Sequence, residues 1–367
     1  MNNLFIEAHI ADIHFGVINP VIQLNILQEQ FIRKIEPLNL DIISVDGDLF
    51  DKKFLANNEV ITCVNLFIKS LIELSVKKNC SLILIHGTES HDAHQFNLFY
   101  QYKDYPGLDL HIIEQTQFIN IKGKRILCIP EEYNKGKEYY KLFFRQQEYD
   151  ACYLHGTFVH SIYGKDIENL DSNREPVFSM KNFWRCKGPI IAGHVHIAQC
   201  LEKHFYYTGS PIRWMFGEEQ PKGFLILLHN IETCQYHIHF EEIKSFRYDT
   251  VDLDALLIKD PNEVIKYLEE LHKEGIDHIR IQIKKYTDNL PIIREYFRNA
   301  SWIKIDDKTR MLRALEKNNE AIKKYDGLDF LVDPKLDEYT KFVMYVNHQE
   351  GEEFISVNEL KKILRGE

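Results

Sequence analysis

The chain has 367 residues and a mass of 43.5 kDa. Single hydrophobic cores rarely exceed about 250–300 residues, so two or three domains are expected. Hydrophobic residues make up 44% of the chain and charged residues 27%, which excludes a disordered protein, and 17 glycines and 11 prolines are too few for a fibrous one. The net charge of −10 counts against a nucleic-acid partner, unless positive charge is local or is supplied by metal.

The N-terminal sequence lacks the basic start, apolar run and cleavage site of a secretory signal. No apolar stretch approaches the roughly 20 residues of a membrane helix, so we expect a cytoplasmic protein without a membrane contact. The seven cysteines are scattered without a CxxC pair, and we expect all of them to be reduced.

The first 240 residues alternate between predicted strands and predicted helices. Short apolar runs, typical of strands that are buried on both faces, occur at Leu4–Ile10, Asp41–Val45, Leu82–Ile85, Ile126–Ile129, Ala151–Leu154 and Pro189–Ala192. Residues Glu59–Val76 place apolar side chains at a spacing of three to four, which predicts an amphipathic helix. This alternation predicts an α/β domain.

Potential metal ligands follow most of these strands. The groups are Asp12 and His14; Asp48 and Asp51; Ser90, His91 and Asp92; His155; and His194 and His196. Ligands of open α/β sheets bind beyond the carboxyl ends of the strands, so we expect these five loops to meet in space. The alternative, ordinary polar loop residues, does not account for so many histidines and aspartates at strand ends.

The types of side chain in these loops indicate a reaction class. Nitrogen and oxygen ligands without a thiolate favour Mn²⁺, Fe²⁺ or Zn²⁺ over a structural zinc. At least five strong ligands exceed the three or four that one catalytic metal takes. Two metals that share a carboxylate would clamp a phosphoryl oxygen and create a nucleophile at neutral pH. The residues alone therefore predict phosphoester hydrolysis.

The pattern changes after about residue 242. Asp260 and Pro261 predict the start of a helix that ends at Gly275, and His278–Lys285 alternates like a half-exposed strand. A second helix at Pro291–Arg298 and a strand at Trp302–Ile305 complete a small α+β module.

The last 35 residues have a different pattern again. A helix is predicted from Asp333 through Val346, and Ser356 and Glu359 form a predicted capping box before a second helix. The segment is a candidate helix–loop–helix with exposed apolar faces. The alternative is a terminal hairpin that packs on its own domain.

The order of the five groups resembles that of the calcineurin-like metallophosphoesterases. The stretch Tyr207–Glu218, followed by Lys222, Gly223 and Phe224, further resembles SbcD-type double-strand-break repair nucleases. The resemblance covers residues 1 to about 230, and the later module is similar in position and pattern only. It implies a β-sandwich flanked by helices (residues 1–242), a small α+β DNA-binding cap (243–330) and a C-terminal helical element (331–367).

The resemblance also implies residue roles. Asp12, His14 and His196 would hold one metal, Asp48 would bridge, and Ser90, His155 and His194 would hold the second metal. Both metals are expected to be Mn²⁺. His91 would donate a proton to the leaving oxygen, and Asp51 would pair with His91 and orient its ring. Asp92 is expected to brace its loop or to cap a helix.

The residues that would touch DNA are less clearly marked. They are Arg213, Arg280, Lys284 and Lys285, with hairpin packing as the alternative for Arg213 and an ordinary solvated face for the other three.

The function implied by the resemblance is a Mn²⁺-dependent DNA nuclease with 3′→5′ exonuclease and endonuclease activity. It would process DNA ends together with an SMC-like ATPase that docks on residues 331–367. A homodimer is expected through Glu59–Val76 and Phe96–Tyr102, where many bulky residues cluster and some should be exposed. The alternatives are a phosphoesterase of small nucleotides or phosphoproteins, and a scaffold with a weakened catalytic centre.

Ser90 departs from the family pattern, which has Asn before the catalytic histidine. A serine hydroxyl is a shorter and poorer ligand than an amide carbonyl, although Glu89 or water could substitute for it. We therefore expect the second metal to bind more weakly than the first, and Ser90→Asn to lower the Mn²⁺ requirement.

Overall fold

The protein is described by a computed structural model that covers residues 4–92, 94–162, 168–171, 173–256, 258, 260–284, 290–309, 328, 331, 333, 335–350 and 355–365. The chain divides into two compact units, Met1–Tyr248 and Asp249–Glu367. The functions expected of residues 243–330 and 331–367 remain predictions.

The strands of the first unit belong mainly to two six-stranded sheets. In chain order they are β1 (Leu4–Ile10), β2 (Ile42–Asp46), β3 (Ser81–Ile85), β4 (Asp109–Ile113), β5 (Gln117–Ile121), β6 (Lys124–Ile129), β7 (Ala151–His155), β8 (Thr157–Phe158), β9 (Val177–Phe178), β10 (Ile190–Gly193), β11 (Gln199–Glu202), β12 (Phe205–Tyr207), β13 (Gly223–Asn230) and β14 (Gln235–Glu242). One sheet has the order β14-β13-β1-β2-β3-β4 and the other β11-β12-β10-β7-β6-β5.

Helices lie between these strands along the chain. They are α1 (Pro20–Leu27), which continues through a π-helical turn (Gln28–Ile32) into α2 (Arg33–Ile35), α3 (Glu59–Lys78), α4 (Glu89–Asp92), a 3₁₀ helix (Gln95–Tyr102), α5 (Lys137–Phe144) and a second 3₁₀ helix (Met180–Phe183). Helix α3 begins where the Asn58 side chain accepts a hydrogen bond from the Val60 amide, and it ends at Asn79, which is left-handed with φ 53°.

Two layers of strands are packed together and covered by helices. Strands β1, β2, β3 and β4 are mutually parallel, as are β6, β7 and β10. One hydrophobic core joins the inner faces of both sheets, for example Ile42 and Ile83 with Ile126 and Tyr153. Two further cores hold helices on the outer faces. The predicted α/β fold class, with sheets flanked by helices, is confirmed, and all six predicted strands are present within one or two residues.

The apolar residues that suggested a dimer contact are largely covered by their own chain. Phe67, Ile68, Leu71, Phe96 and Phe99 are all fully buried in the first core. The expectation that some of these residues are exposed is wrong for these five. Helix α1 packs against α3, which carries Phe67, Ile68 and Leu71, and Phe99 packs against Phe50 of the β2 loop. The homodimer itself stays a prediction.

The second unit contains a three-stranded sheet and its helices. The elements are β15 (Tyr248–Asp252), α6 (Pro261–Lys273), β16 (His278–Ile283), α7 (Leu290–Tyr296), β17 (Ile303–Asp307), α8 (Glu338–Glu350) and α9 (Val357–Arg365). Strand β16 lies between β15 and β17, with Ile279, Ile281 and Ile283 in the core. The Asp260 cap of α6 is present as predicted.

Both predicted C-terminal helices are present, but the first one starts later than predicted and ends at Glu350 and not at Val346. The capping box between Ser356 and Glu359 is formed, with the Ser356 amide 2.9 Å from the Glu359 carboxylate. Helix α8 begins at Glu338 and not directly after Asp333 as predicted, because Asp337 caps its first amides. Apolar side chains remain exposed on both helices, among them Phe342 and Leu364.

Two further expectations concern the chain as a whole. All seven cysteines are free, as predicted. Among the residues that the structure describes, no helix has both the length and the apolar character needed to cross a membrane.

Candidate metal centre

The carboxyl ends of strands from both sheets meet at one place in the first unit. The side chains gathered there are Asp12 and His14 after β1, Asp48 after β2, His91 after β3, Glu131 after β6, His155 at the end of β7, and His194 and His196 after β10. Parallel neighbours place their carboxyl ends at the same edge of a sheet, which explains the convergence.

The backbone is held in an uncommon conformation at four of these residues. Asp12, His14, Asp48 and His194 have φ values of 51°, 49°, 50° and 99°. Backbone hydrogen bonds between the β1 and β2 loops support the first three angles, with the Asp12 amide 3.0 Å from the Gly47 carbonyl. Residues other than glycine adopt positive φ at an energetic cost, and such strain concentrates at functional sites.

Two glycines allow the sheets to approach each other at His155. A Cβ atom on Gly47, where φ is +91°, would lie 2.1 Å from His155 Nδ1, and one on Gly193 would lie 2.2 Å from the Asp46 carbonyl oxygen. A side chain at either position would therefore displace the imidazole that stands between the two sheets.

The first group of potential ligands comprises Asp12, His14 and His196, whose ligand atoms all lie within 4.8 Å of one another. His14 Nε2 is 3.2 Å from His196 Nε2. Burial lowers the pKa of His14 to about 3, only partly opposed by Asp48, so its imidazole is neutral, the form that binds metals. Asp12 Oδ1 accepts a hydrogen bond from the His194 amide at 2.8 Å.

The second group comprises Glu131, His155 and His194. Glu131 Oε2 lies 3.1 Å from His194 Nδ1 and 3.8 Å from His155 Nε2. The other nitrogen of each ring is already engaged, His155 Nδ1 by the Asp46 carbonyl at 2.8 Å and His194 Nε2 by the Thr157 hydroxyl at 3.2 Å. Each imidazole therefore turns its second nitrogen towards the Glu131 carboxylate and the site, an arrangement found in histidines that bind metals.

Asp48 lies between the two groups. Its Oδ2 atom is 3.6 Å from His14 Nε2 and 3.3 Å from His155 Nε2. Burial would raise the pKa of Asp48, but the His155 imidazole outweighs it by charge and hydrogen bonding and holds the pKa of Asp48 well below its usual range, while Asp48 in turn raises the pKa of His155. An ionised carboxylate in this position can contact a cation in either group.

The chemistry of the donor set fits divalent cations. The buried atoms His155 Nε2 and Asp12 Oδ2 have no hydrogen-bond partner, and an unpaired buried polar atom is costly. Within the described part of the chain, no lysine or arginine forms an ion pair with Asp12, Asp48 or Glu131. Three buried carboxylates without a cationic side chain, among four imidazoles, suit metals such as Mn²⁺, Fe²⁺ or Zn²⁺.

Glu131 was not among the residues singled out from the sequence. It lies two residues beyond the predicted strand Ile126–Ile129, so its position after a strand could have drawn attention to it. Ser90, the predicted ligand, is exposed on α4. In the same loop the Thr88 amide instead donates to Asp48 Oδ1 at 2.6 Å.

His91 and Asp51 are neighbours, but not through the contact that was predicted. His91 Nδ1 donates a hydrogen bond to the backbone carbonyl of Asp51, rather than to its carboxylate. A carbonyl fixed in the backbone orients the ring without adding a charge, and it leaves His91 Nε2 available. Asp92 is fully buried and accepts from the amides of Phe50 and Gly87 at 3.0 and 2.8 Å, which ties its loop to the β2 loop as expected.

The residues expected to touch DNA make contacts within their own units. Arg213 donates to the carbonyls of Phe246, Glu219 and Gln220. In the second unit, Arg280 Nε is 3.2 Å from the Thr250 hydroxyl, and Lys284 Nζ is 2.8 Å from Asp252. Lys285 lies outside the described residues. A DNA contact at any of these positions stays a prediction.

An aromatic rim borders the centre. A pocket of about 550 Å³ is lined by His14, Asp48 and His91 together with Trp214 and Met215. The Trp214 ring contacts the rings of His14 and His196 edge-on, with centroids 5.3 and 5.0 Å apart. The Glu218 carboxylate fixes this turn by accepting from the amides of Trp214 and Met215 at 2.9 and 3.1 Å.

No family model matches the chain. The chain is 24% identical over 287 residues to the protein named "Putative phosphoesterase 244L" of Invertebrate iridescent virus 6, and the match covers 71% of this chain and 91% of the viral protein. One solved crystal structure is similar with a TM-score of 0.41 and 12% identity, over 65% of this chain and 100% of its own. A protein of unknown function from Aquifex aeolicus is similar with a TM-score of 0.22 and 19% identity, over 44% of this chain and 81% of its own. The distant viral relative is consistent with a phosphoesterase-type fold.

Proposed function

We propose that this protein is a metal-dependent phosphoesterase that cleaves DNA, a nuclease of the SbcD type. The observation that carries the hydrolytic part is the cluster at the strand ends, in which three buried carboxylates and four imidazoles gather with no lysine or arginine partner among the residues that the structure describes. The distant viral relative supports the same reaction class.

The residues divide into two sets that would hold two cations. Asp12, His14 and His196 would hold one cation, and His155 and His194 the other, with Asp48 between them. Bound there, divalent cations supply the polarisation of a phosphoryl oxygen and a water of lowered pKa. The donors are nitrogen and oxygen only, which suits Mn²⁺, Fe²⁺ or Zn²⁺. Among these we propose Mn²⁺, because the resemblance of the sequence implies it.

His91 is positioned to act on the leaving group. Its Nδ1 atom is held by the Asp51 carbonyl, so the proton on that nitrogen is fixed and Nε2 is the atom that can exchange a proton with substrate. The ring stands edge-on to His14 at a centroid distance of 4.7 Å and lines the same pocket as Asp48. Protonating the leaving oxygen would make His91 the general acid.

The DNA substrate is supported by the resemblance of the sequence and by the rim of the pocket. Trp214 and Met215, the latter 52% exposed, present an aromatic and an apolar side chain beside the proposed cleavage site. Such side chains contact the faces of nucleobases with little dependence on sequence. A phosphate alone offers nothing for them to bind.

Two partners belong to this proposal. We propose a homodimer and an SMC-like ATPase that docks on the C-terminal helices. The exposed side chains Phe342, Tyr345, Ile363 and Leu364 support a docking role for α8 and α9, because an amphipathic helix pair can place such a face in a groove of another protein.

The experiment compares substrates for the purified protein with and without Mn²⁺. The substrates are linear duplex DNA labelled at either end, a cyclic nucleotide, a phosphopeptide and bis(p-nitrophenyl) phosphate. We expect Mn²⁺-dependent cleavage of the DNA and release of nucleotides from its 3′ ends.

Each of the other possible results of this experiment would indicate a different function. Cleavage of the small phosphoesters or of the phosphopeptide, but not of DNA, would leave a phosphoesterase and remove the nuclease. Binding of two metals without cleavage of any substrate would favour a scaffold subunit and contradict the proposed activity.

A further inference from the structure

Glu131 occupies a position in the metal centre that the sequence assigned to Ser90. The Glu131 side chain is 1% exposed, whereas Ser90 lies on the exposed surface of α4. Its Oε2 atom is the carboxylate oxygen that stands within 3.1 Å of His194 Nδ1 and 3.8 Å of His155 Nε2. A carboxylate buried this deeply needs a cation or several hydrogen bonds.

Neighbouring hydroxyl groups aim this carboxylate at the two imidazoles. The Tyr133 hydroxyl donates to Oε1 at 2.5 Å, so that oxygen is already engaged. The Thr88 hydroxyl lies 3.3 Å from Oε2 and 3.2 Å from Asp48 Oδ2, and its single proton can serve only one of them. Oε2 therefore keeps acceptor capacity on the side that faces His155 and His194.

His155 itself requires a ligand on this side. Its Nε2 atom is buried without a hydrogen-bond partner, and its Nδ1 atom is fixed by the Asp46 carbonyl. Asp48 Oδ2 lies 3.3 Å and Glu131 Oε2 lies 3.8 Å from that orphaned nitrogen. The ligand atoms of His155 lie within 4.8 Å of those of Glu131 and His194 in one group, and of those of Asp12 and Asp48 in another. His155, His194, Glu131 and Asp48 together offer two imidazoles and two carboxylates, which is enough donors for a divalent cation.

We propose that Glu131 is a ligand of the second metal, together with His155, His194 and Asp48, and that Ser90 is not. The inference deepens the proposed function and rests on it in one respect, that cations occupy the centre. Thr88 and Tyr133 are positioning residues in this account, because they act on the carboxylate and not on the cation.

The charge of the ligand changes the expected affinity. A serine would leave the second cation with one carboxylate, Asp48, whereas Glu131 gives it two. A carboxylate attracts a divalent cation more strongly than a neutral hydroxyl does, most of all at a buried site of low dielectric constant. The second metal is then held firmly, which is the opposite of the expectation based on Ser90, and Ser90→Asn should leave the Mn²⁺ requirement unchanged.

The test uses three variants and a readout that does not depend on catalysis. Glu131→Gln keeps the shape of the side chain and removes its charge. Glu132→Gln is the matched control, because Glu132 is the next residue, is also buried, and faces Thr116 and Tyr139 instead. Ser90→Ala is safe for folding because Ser90 is exposed. Bound Mn²⁺ per chain is measured by elemental analysis after gel filtration, and the spin-coupled metal pair by electron paramagnetic resonance.

We expect two Mn²⁺ ions and a coupled-pair signal for the wild type, for Glu132→Gln and for Ser90→Ala. Glu131→Gln should lose the coupled pair, with an affinity for the second ion that is at least about 10–100-fold lower. Two tight ions in Glu131→Gln, or loss of one ion in Ser90→Ala, would overturn the assignment while leaving the proposed function in place.

A different outcome would strike the proposed function itself. If the wild-type protein bound no Mn²⁺, there would be no metal centre and both proposals would be wrong. If Glu131→Gln fails to fold, as judged by circular dichroism, Ser90→Ala alone still decides, since loss of the second ion there contradicts the assignment and retention supports it.

Discussion

Two clusters of buried charged side chains lie close together in the first unit, and they balance their charges differently. In the core between the sheets, Glu7 contacts Lys124 and the Tyr153 hydroxyl, and Asp46 contacts His9 at 3.0 Å. This core cluster contains its own cation. The metal cluster of Asp12, Asp48, Glu131 and four imidazoles contains no lysine or arginine partner among the described residues.

This difference distinguishes a cluster that only stabilises the fold from a cluster that can bind metal. Both clusters are desolvated, and a desolvated carboxylate is tolerated only beside a compensating charge. Where the chain supplies that charge, as Lys124 does, the cluster needs nothing from solution. In the metal cluster, no lysine or arginine among the described residues supplies that charge, and we propose that a bound cation does so. The clusters also touch, since the Asp46 carbonyl holds His155.

The largest effect is expected from removing the carboxylate between the two groups. Asp48→Ala should lose both bound metals and all cleavage, because Asp48 Oδ2 faces His14 and His155 together. Metal content and nuclease rate are measured on the same sample. Retention of two metals would show that Asp48 does not join the groups.

Removing the proposed general acid should separate binding from chemistry. His91→Ala should retain both metals and lower the cleavage rate about 10²–10⁴-fold, because it removes a proton donor and no ligand. His94→Asn is the matched control, since His94 is exposed nearby and asparagine tolerates its positive φ of 57°. Equal loss of metal in His91→Ala and Asp48→Ala would contradict the role given to His91.

The core cluster should respond in stability and not in metal content. Glu7→Gln leaves Lys124 buried without its charged partner, which should lower the free energy of unfolding by about 3–5 kcal/mol. Chemical denaturation measures this loss. The double replacement Glu7→Leu with Lys124→Met should recover most of it, since no lone charge then remains. If Glu7→Gln were as stable as the wild type, the charge of Glu7 would not be needed to balance Lys124, and the description of the core cluster would be wrong.

The Glu7 carboxylate also leads to a prediction of how the stability of the protein depends on pH. Burial would raise the pKa of Glu7, but Lys124 and His9 outweigh it and lower the pKa to about 2. A carboxyl whose pKa is depressed on folding stabilises the protein above its unfolded value near 4.5, and that stabilisation is lost as the pH falls towards 2. The wild type should lose stability over this window more steeply than Glu7→Gln, which lacks the group. The prediction would be contradicted if the free energy of unfolding fell with pH equally in the wild type and in Glu7→Gln.

In the metal-free protein, Asp12 should have the opposite effect from Glu7. Burial raises the pKa of Asp12, although His196 and His155 oppose it, so the ionised form is unfavourable without a cation. A raised carboxyl pKa means that stability falls as the pH rises above the unfolded value. Asp12→Asn should therefore raise the melting temperature of the metal-free protein at neutral pH and weaken metal binding. A lower melting temperature would mean that Asp12 already has a compensating partner.

The sequence correctly predicted the features that follow from a single periodic or positional rule. Continuous apolar runs predicted the strands, and the rule that parallel strands share an edge predicted that Asp12, Asp48, His155 and His194 would meet. Glu131 was missed because adjacent Glu131 and Glu132 look alike in sequence. Only the structure shows that Glu131 faces His194 and His155, whereas Glu132 contacts Thr116.

The sequence also did not show which distant segments of the chain pack over a given helix. The exposure expected of Phe67 and Leu71 depended on what lies over α3, and α1 lies there. The start of α8 depended on a choice between two aspartates, Asp333 and Asp337, each of which accepts a hydrogen bond from a nearby amide. Such choices are decided by small free-energy differences that local pattern does not contain.

The smallest effect is expected at the aromatic rim. Trp214→Leu should raise KM about 5-fold for duplex DNA, if one base–aromatic contact at the weak end of the usual range, about 1 kcal/mol, is lost. A substrate with an abasic residue beside the scissile phosphate should be unaffected, and the metal content should stay at the wild-type value. An equal loss on both substrates would show that Trp214 acts through His14 and His196 instead.

The central claim is that the charge missing from the metal cluster is supplied by two bound cations. Anomalous scattering from Mn²⁺-soaked crystals, recorded at the manganese edge, tests it most directly. The account predicts two peaks, one among Asp12, His14 and His196 and one among His155, His194 and Glu131, with Asp48 between them. No peak at these residues, or a second peak that Glu131 does not contact, would contradict it.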